Sequence, residues 1–180
     1  QSRSSAASDV YKRQIYANGV TNSGSYYKTC YGGGIYMQGG KVESSTVVHN
    51  YAAVSGGGIY RTAGEVLNTV IWSNYAPSVQ NIALNTNSVT YSCAPSLTAG
   101  TGNITDSPGF VLWGNGYGFT AVDGNYHIGS LASKIVDKGL NQGWMLTEKD
   151  IDSQKRIVND RVDMGADEIY QSKGMVVVIR

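Results

Sequence analysis

The sequence predicts an all-β solenoid, a parallel β-helix that ends in an irregular C-terminal cap. Three observations lead there. Gly32–Ala52 (GGGIYMQGGKVESSTVVHNYA) and Gly56–Ala76 (GGGIYRTAGEVLNTVIWSNYA) repeat each other at an offset of 24 residues, and a fixed period of this length marks stacked repeats. Their apolar positions are Val, Ile and Tyr, which favour strands, and the leucine spacing of a leucine-rich repeat is absent. Charged residues are 15% of the chain, below the roughly 25% of an average globular protein, while Gly reaches 23 and Tyr 13. That composition is turn-rich and strand-rich, and too aromatic for disorder.

The first residues stand apart. Ser4–Gln14 (SSAASDVYKRQ) resembles the translated transposase adapter used to prepare DNA sequencing libraries. Residues 1–14 are therefore set aside as a non-native scar, and the native frame is expected to begin near Ile15. An upstream start would place any signal peptide outside this chain. Without Arg3, Lys12, Arg13 and Asp9, basic residues fall from 14 to 11 and acidic ones from 13 to 12, a net charge of −1. No basic surface for nucleic acid remains. No run approaches the ~18 apolar residues of a membrane span; Met175–Ile179 is too short.

Residues 15–105 form the expected coils. Asn18 can end an early coil, and Thr21–Tyr31 reads as a loop leaving the stack. Each full repeat then has a Gly triplet, an apolar strand, a Gly-containing turn, a second strand and Asn-Tyr-Ala. Stacking pairs each strand with its own copy, in parallel, at roughly 4.8 Å per coil. The triplets, with Gly33 and Gly57 at their centres, permit positive φ and close approach of neighbouring coils. Asn50 and Asn74 end strands, where Asn tolerates a left-handed backbone and can hydrogen-bond along the stack. A structural ladder is preferred to a ligand role for them. Asn81–Leu84 and Ser88–Ser92 look like further strands, and Thr98–Thr105 is a Gly/Thr/Asn turn.

Composition changes at Asp106. Between Ile15 and Thr105 the only acids are Glu43 and Glu65, and the rest of the native set lies between Asp106 and Glu168. Residues 106–170 are read as a cap and 171–180 as a tail or last strand. A solenoid end exposes unpaired strand groups and an open core that terminal units must cover. Trp113, Phe119, Trp144 and Leu146 are the expected apolar cover, and Arg156 is expected to pair with Asp163 or Glu168 and fasten the final loop.

An ordered series of motifs carries a family resemblance: Asp106-Ser-Pro-Gly-Phe110, Asn125-Tyr-His-Ile128, Ser133-Lys-Ile-Val-Asp137-Lys-Gly139, Asp150-Ile-Asp152 with Arg156, and Val162-Asp-Met-Gly-Ala-Asp-Glu168. With the GGGIY repeats and Val70-Ile-Trp72-Ser-Asn74, they resemble bacterial right-handed parallel β-helix repeat proteins. The chain looks most like the C-terminal end of the "choice-of-anchor" β-helix group. Lys134 departs from it, standing where that group usually has Pro. The resemblance implies a right-handed, pectate-lyase-like coil and export to the cell surface or medium, without implying a reaction.

The residues offer little chemistry for catalysis. A glycosidase needs two carboxyl groups facing one bond, and a lyase needs a base with acids holding Ca²⁺. Glu43 aligns with Leu67 and Glu65 with Lys41, so the two acids occupy different ladder positions. His49 and His127 have no Cys or His at metal spacing, and no Ser-His-Asp arrangement is visible. Asp150 and Asp152 are the calcium candidates, although Ca²⁺ takes six to eight oxygens and no complete loop motif follows them. No cofactor is otherwise expected. Cys30 and Cys93 can form one disulfide in an exported protein, or remain as two thiols, at least one of them buried.

Strand alternation turns Ile35 and Ile59 inward and Tyr36 and Tyr60 outward. Exposed tyrosines at coil spacing can stack on sugar rings, or on one another; Tyr51 and Tyr75 form a second such pair. The expected role is an extracellular or surface-located stalk, adhesin or weak glycan-binding module, with polysaccharide as partner. The alternative is the C-terminal part of a polysaccharide lyase or hydrolase whose site lies in upstream coils.

Overall fold

A computed structural model describes residues 10–21, 30–83 and 86–170. Within them the chain is all-β, and its helical pieces are three 3₁₀ turns at Thr86–Ser88, Gly118–Thr120 and Gly143–Leu146. The strands in chain order are β1 (Val10–Tyr11), β2 (Gln14–Tyr16), β3 (Gly19–Val20), β4 (Ile35–Glu43), β5 (Thr46–Val48), β6 (Tyr51–Ala52), β7 (Ile59–Leu67), β8 (Val70–Trp72), β9 (Ile82–Ala83), β10 (Val89–Thr90), β11 (Phe110–Leu112) and β12 (Asn125–Ile128).

Through β10 every sheet is parallel, and each strand pairs with its counterpart one repeat away. β1, β4, β7 and β10 form one sheet, with β9 also on β7; β2, β5 and β8 form a second; β3 and β6 a third. The register follows the sequence repeat: Ile35 opposes Ile59, Tyr36 opposes Tyr60, Val42 opposes Val66 and Val47 opposes Ile71. Inward positions merge into one core of Met37, Val42, Val47, Ile59, Val66, Ile71, Ile82, Val89, Ala94 and Leu97. At about 1.5–3 kcal/mol per fully buried aliphatic side chain, this interior is the main cohesive term. Cys93 and Ile104 extend the second sheet by parallel bridges. Pairing becomes antiparallel at β11 and β12, close to the compositional change at Asp106.

Four sequence expectations need correction or refinement. The Gly-containing turns inside each repeat are not turns: β4 and β7 run straight through Gly39–Gly40 and Ala63–Gly64 as nine-residue strands. The positive φ of Gly40 (72°) and Gly64 (93°) is absorbed where the register shifts between Met37 and Lys41, as at a bulge. The left-handed residue at each Asn bend is the one before the Asn, namely Ala17, His49 and Ser73. Strand pairing begins at Val10, within the stretch set aside as non-native. Val10, Ile15 and Asn18 have the spacing of Val42, Val47 and Asn50, so the two segments share a register. Cys30 and Cys93 are both buried and are not joined in a disulfide. The Cys93 thiol donates to the Asp106 carbonyl at 3.2 Å, and burial, the largest cause, pushes its pKa up to about 12.

The Gly triplets behave as expected. Gly32 and Gly56 have φ near 69° and 67°. A Cβ on Gly33 would lie 2.3 Å from the Gly57 carbonyl oxygen, so no side chain fits between the repeats there.

Residues 106–170 lie along the flank of the parallel sheets. Val48 and Val70 point outward from β5 and β8 yet are fully buried, in a second core with Phe110, Tyr126, Ile128, Ile135, Val136 and Met164. Both faces of these strands are therefore covered. The expected apolar cover was misassigned: Phe119 and Leu146 are 77% and 80% exposed, Trp113 is exposed, and Trp144 is half-buried. Polar contacts fix the flanking layer in place. Gly118 N–H donates to the His49 carbonyl (2.8 Å), Ala166 N–H to Thr46 Oγ1 (3.1 Å), and Trp144 Nε1 to Glu43 Oε1 (3.2 Å). Asn68 and Leu140 exchange two hydrogen bonds, at 2.9 and 2.7 Å. The expected tail, residues 171–180, lies outside the described residues.

Candidate functional site

Alternation along β4 and β7 puts Tyr36 and Tyr60 on the outer face, with ring centroids 5.5 Å apart and planes within 9°. Tyr31 stacks on Tyr60 as well, at 4.3 Å. Tyr36 remains 50% exposed. Burial, then the neighbouring Tyr31 and Tyr36 phenols, raises the Tyr60 pKa. Beyond the Asn bend, Tyr51 stacks on Tyr75 at 6.0 Å, and Tyr75 meets Tyr117 at 5.3 Å. Sequence reasoning missed Tyr31 and Tyr117 because neither belongs to the repeat. Tyr117 arrives on the loop that Gly118 and His49 pin down, with Gly116 O 2.8 Å from His49 Nδ1.

The Asn residues form a continuous ladder through Asn18, Asn50, Asn74 and Asn81. Each Oδ1 of Asn50, Asn74 and Asn81 accepts from both the backbone and the side-chain amide of the preceding Asn. Asn74 Nδ2 also donates to the Val47 and Trp72 carbonyls. No polar group on Asn50 or Asn74 is left facing a ligand.

Neither acid of the parallel sheets has a carboxylate partner. Glu43 is 1% exposed, and its carboxylate meets Lys41 Nζ at 2.9 Å and Trp144 Nε1. Exposed Glu65 opposes Lys41. A shallow groove of about 410 Å³ runs beside them, lined by Lys41, Glu65, Ser88, Thr90, Leu140 and Gln142.

The acidic cluster of the flanking layer differs from its expected pairing. Arg156 is fully buried but makes no ion pair within 4.0 Å among the described residues; its guanidinium donates to the carbonyls of Ala166 (3.0 Å), Gly165 (3.1 Å) and Asp163 (3.4 Å). The carboxylates instead take backbone N–H groups. Asp163 accepts from Asp137 and Ile169, and Glu168 from Asp163. Burial, the largest cause in both, pushes Asp163 up to about 6 and Glu168 up to about 9.

Asp150 is likewise committed. Its Oδ1 accepts from Asp152 and Gln154 N–H and its Oδ2 from Glu168 N–H. It shapes the turn that presents Asp152. Asp152 joins other partners: the ligand atoms of His127 (β12), Asp152 and Asp167 lie within 4.8 Å of one another. His127 Nε2 is 3.0 Å from Asp152 Oδ2. The three residues are scattered in sequence, so no motif spacing announces them. Compared with known proteins, the chain matches no family model, no curated protein and no solved structure. No helix among the described residues is long and apolar enough to cross a membrane.

Proposed function

We propose that this chain belongs to an exported bacterial surface β-helix, acting as a structural stalk or adhesin. In this reading the parallel sheets are faces of a right-handed solenoid, and residues 106–170 brace one face. The observation that carries it is that repeated side chains bond to their own copies: Asn50 to Asn74, Tyr36 to Tyr60 and Tyr51 to Tyr75. Such ladders join each coil to the next, the coupling that makes a solenoid cohere as a rod. Burial of Glu43, and its salt bridge to Lys41, speak against a carboxylate pair for glycoside cleavage.

A second reading, weak glycan contact on the same surface, is favoured by half-exposed Tyr36, whose ring can stack on a sugar. Affinity electrophoresis across a polysaccharide panel separates the readings. The stalk reading expects no retardation by any glycan. Retardation abolished by the double variant Tyr36→Ala, Tyr60→Ala would establish the contact surface. Retardation with depolymerisation would overturn both in favour of a lyase or hydrolase.

A further inference from the structure

We propose that His127, Asp152 and Asp167 form a binding site for one divalent transition-metal ion of the Zn²⁺ class, which staples three segments of the flanking layer together. The inference is independent of the stalk and glycan readings.

The geometry of His127 carries it. Asn125 Oδ1 accepts the His127 backbone N–H at 3.2 Å, which identifies that atom as the carbonyl oxygen of the amide. The same oxygen faces His127 Nδ1, so Nδ1 bears a hydrogen. In the neutral ring the lone pair then sits on Nε2, 3.0 Å from Asp152 Oδ2. A cation beside both atoms relieves the repulsion of two lone pairs at 3.0 Å, and the Asp167 carboxylate close to the same point favours a metal ion over a single proton. Nε2 is buried and has no aligned hydrogen bond, despite that short distance. A proton on Nε2 would call for such alignment, whereas a metal ion beside both atoms does not. Fixing the ring through its other nitrogen is the usual way a ligating His is oriented.

Asp167 supplies the third ligand. It is 7% exposed, and its Oδ2 is held by Ile128 N–H at 2.7 Å. Its carboxylate faces His127 and Asp152, and among the described residues no Lys or Arg pairs with it. Ligands at about 2.0–2.2 Å from Zn²⁺ stand roughly 3–4 Å apart, within the 4.8 Å span of these atoms. A nitrogen ligand beside two carboxylates selects against Ca²⁺, which takes oxygen. The side chains of His127 and Asp152 are 34% and 44% exposed, which leaves an entry path and room for water as a further ligand. Asp150 holds the Asp152 turn through two backbone N–H groups and acts as a positioning residue.

The test is titration of the untagged, EDTA-stripped full chain with ZnCl₂, CoCl₂ and CaCl₂. Calorimetry and thermal unfolding follow binding, and visible absorption follows Co²⁺. The expected result is one equivalent of Zn²⁺, a Tm raised by roughly 5–10 °C at free metal near 100 times Kd, Co²⁺ ligand-field bands and no response to Ca²⁺. His127→Gln and Asp152→Asn should each weaken Zn²⁺ at least tenfold and remove the Co²⁺ bands. Asp152 lies on an exposed turn, so its variant should keep the metal-free Tm. Absence of Zn²⁺ binding by the parent, or binding unchanged in both variants, would overturn the proposal.

Discussion

Asn74 Oδ1 accepts both the backbone N–H and the side-chain amide of Asn50, at 3.0 and 2.9 Å. One oxygen thus closes the bend of one repeat against the next, inside a region that water does not reach. Asn74→Ala would leave two donors and the Val47 carbonyl without this partner. A loss of about 2–3 kcal/mol is expected from urea unfolding, given about 1–3 kcal/mol for a buried unsatisfied group. Asn18→Ala, at the exposed end of the ladder, should cost under about 0.5 kcal/mol. Equal losses at the two positions would refute a stack-long role for the interior Asn.

Arg156 holds the Asp163–Ala166 segment by its carbonyls and is the buried cation among Asp150, Asp163, Asp167 and Glu168. Arg156→Met keeps volume but removes donors and charge together. Three buried carbonyls left without their charged donor should cost about 3–5 kcal/mol, and Arg156→Lys should recover only part of it, because a point ammonium cannot reproduce the planar fork. Denaturation midpoints within experimental error of the parent would contradict this account.

The raised carboxyls give stability a definite pH dependence. Asp163 and Glu168 shift from 3.8 and 4.5 up to about 6 and about 9 on folding. Between those values the folded chain holds more protons than the unfolded chain, so unfolding free energy falls as pH rises. Their contribution is complete below about pH 4 and is lost by about pH 9. Urea midpoints measured in EDTA should decline from pH 5 to pH 9. Glu168→Gln, which can still accept the Asp163 N–H, should flatten the decline above pH 6. Parallel slopes for parent and variant would count against a protonated Glu168.

Cys93 combines burial with a thiol pushed up to about 12, so almost no reactive thiolate exists at neutral pH. A chromogenic disulfide reagent should find no fast-reacting thiol in the native chain and two thiols after denaturation. A single stable Cys30–Cys93 disulfide in the purified protein would show the two-thiol state to be wrong.

The parallel pairing was legible because the repeat dictates it: Ile35 and Ile59 cannot both face inward unless β4 and β7 run in register. The flank packing is also written in the sequence. Thr46-Val-Val48 and Val70-Ile-Trp72 are runs without alternation, the pattern of strands covered on both faces. Gly39–Gly40 misled because glycine serves a bulge as readily as a turn. Arg156 misled because a buried guanidinium can be satisfied by carbonyls, which leave no trace in residue type. His127, Asp152 and Asp167 were illegible for a different reason. Only the path of the flanking layer brings them together, and sequence spacing holds no record of that path.

The flanking layer grips successive repeats at once: Lys12 and Tyr16 on the first, Glu43, Thr46 and His49 on the next, Asn68 and Val70 on the one after. Inserting another 24-residue unit between Ala52 and Gly56 would move these anchors apart by roughly 4.8 Å, beyond the reach of the same contacts. A unit added between Val20 and Ile35 would likewise part Lys12 from Glu148 and Tyr16 from Tyr126. Duplication within the gripped repeats therefore cannot proceed without breaking the hold of the layer, which makes them a fixed locus of the chain.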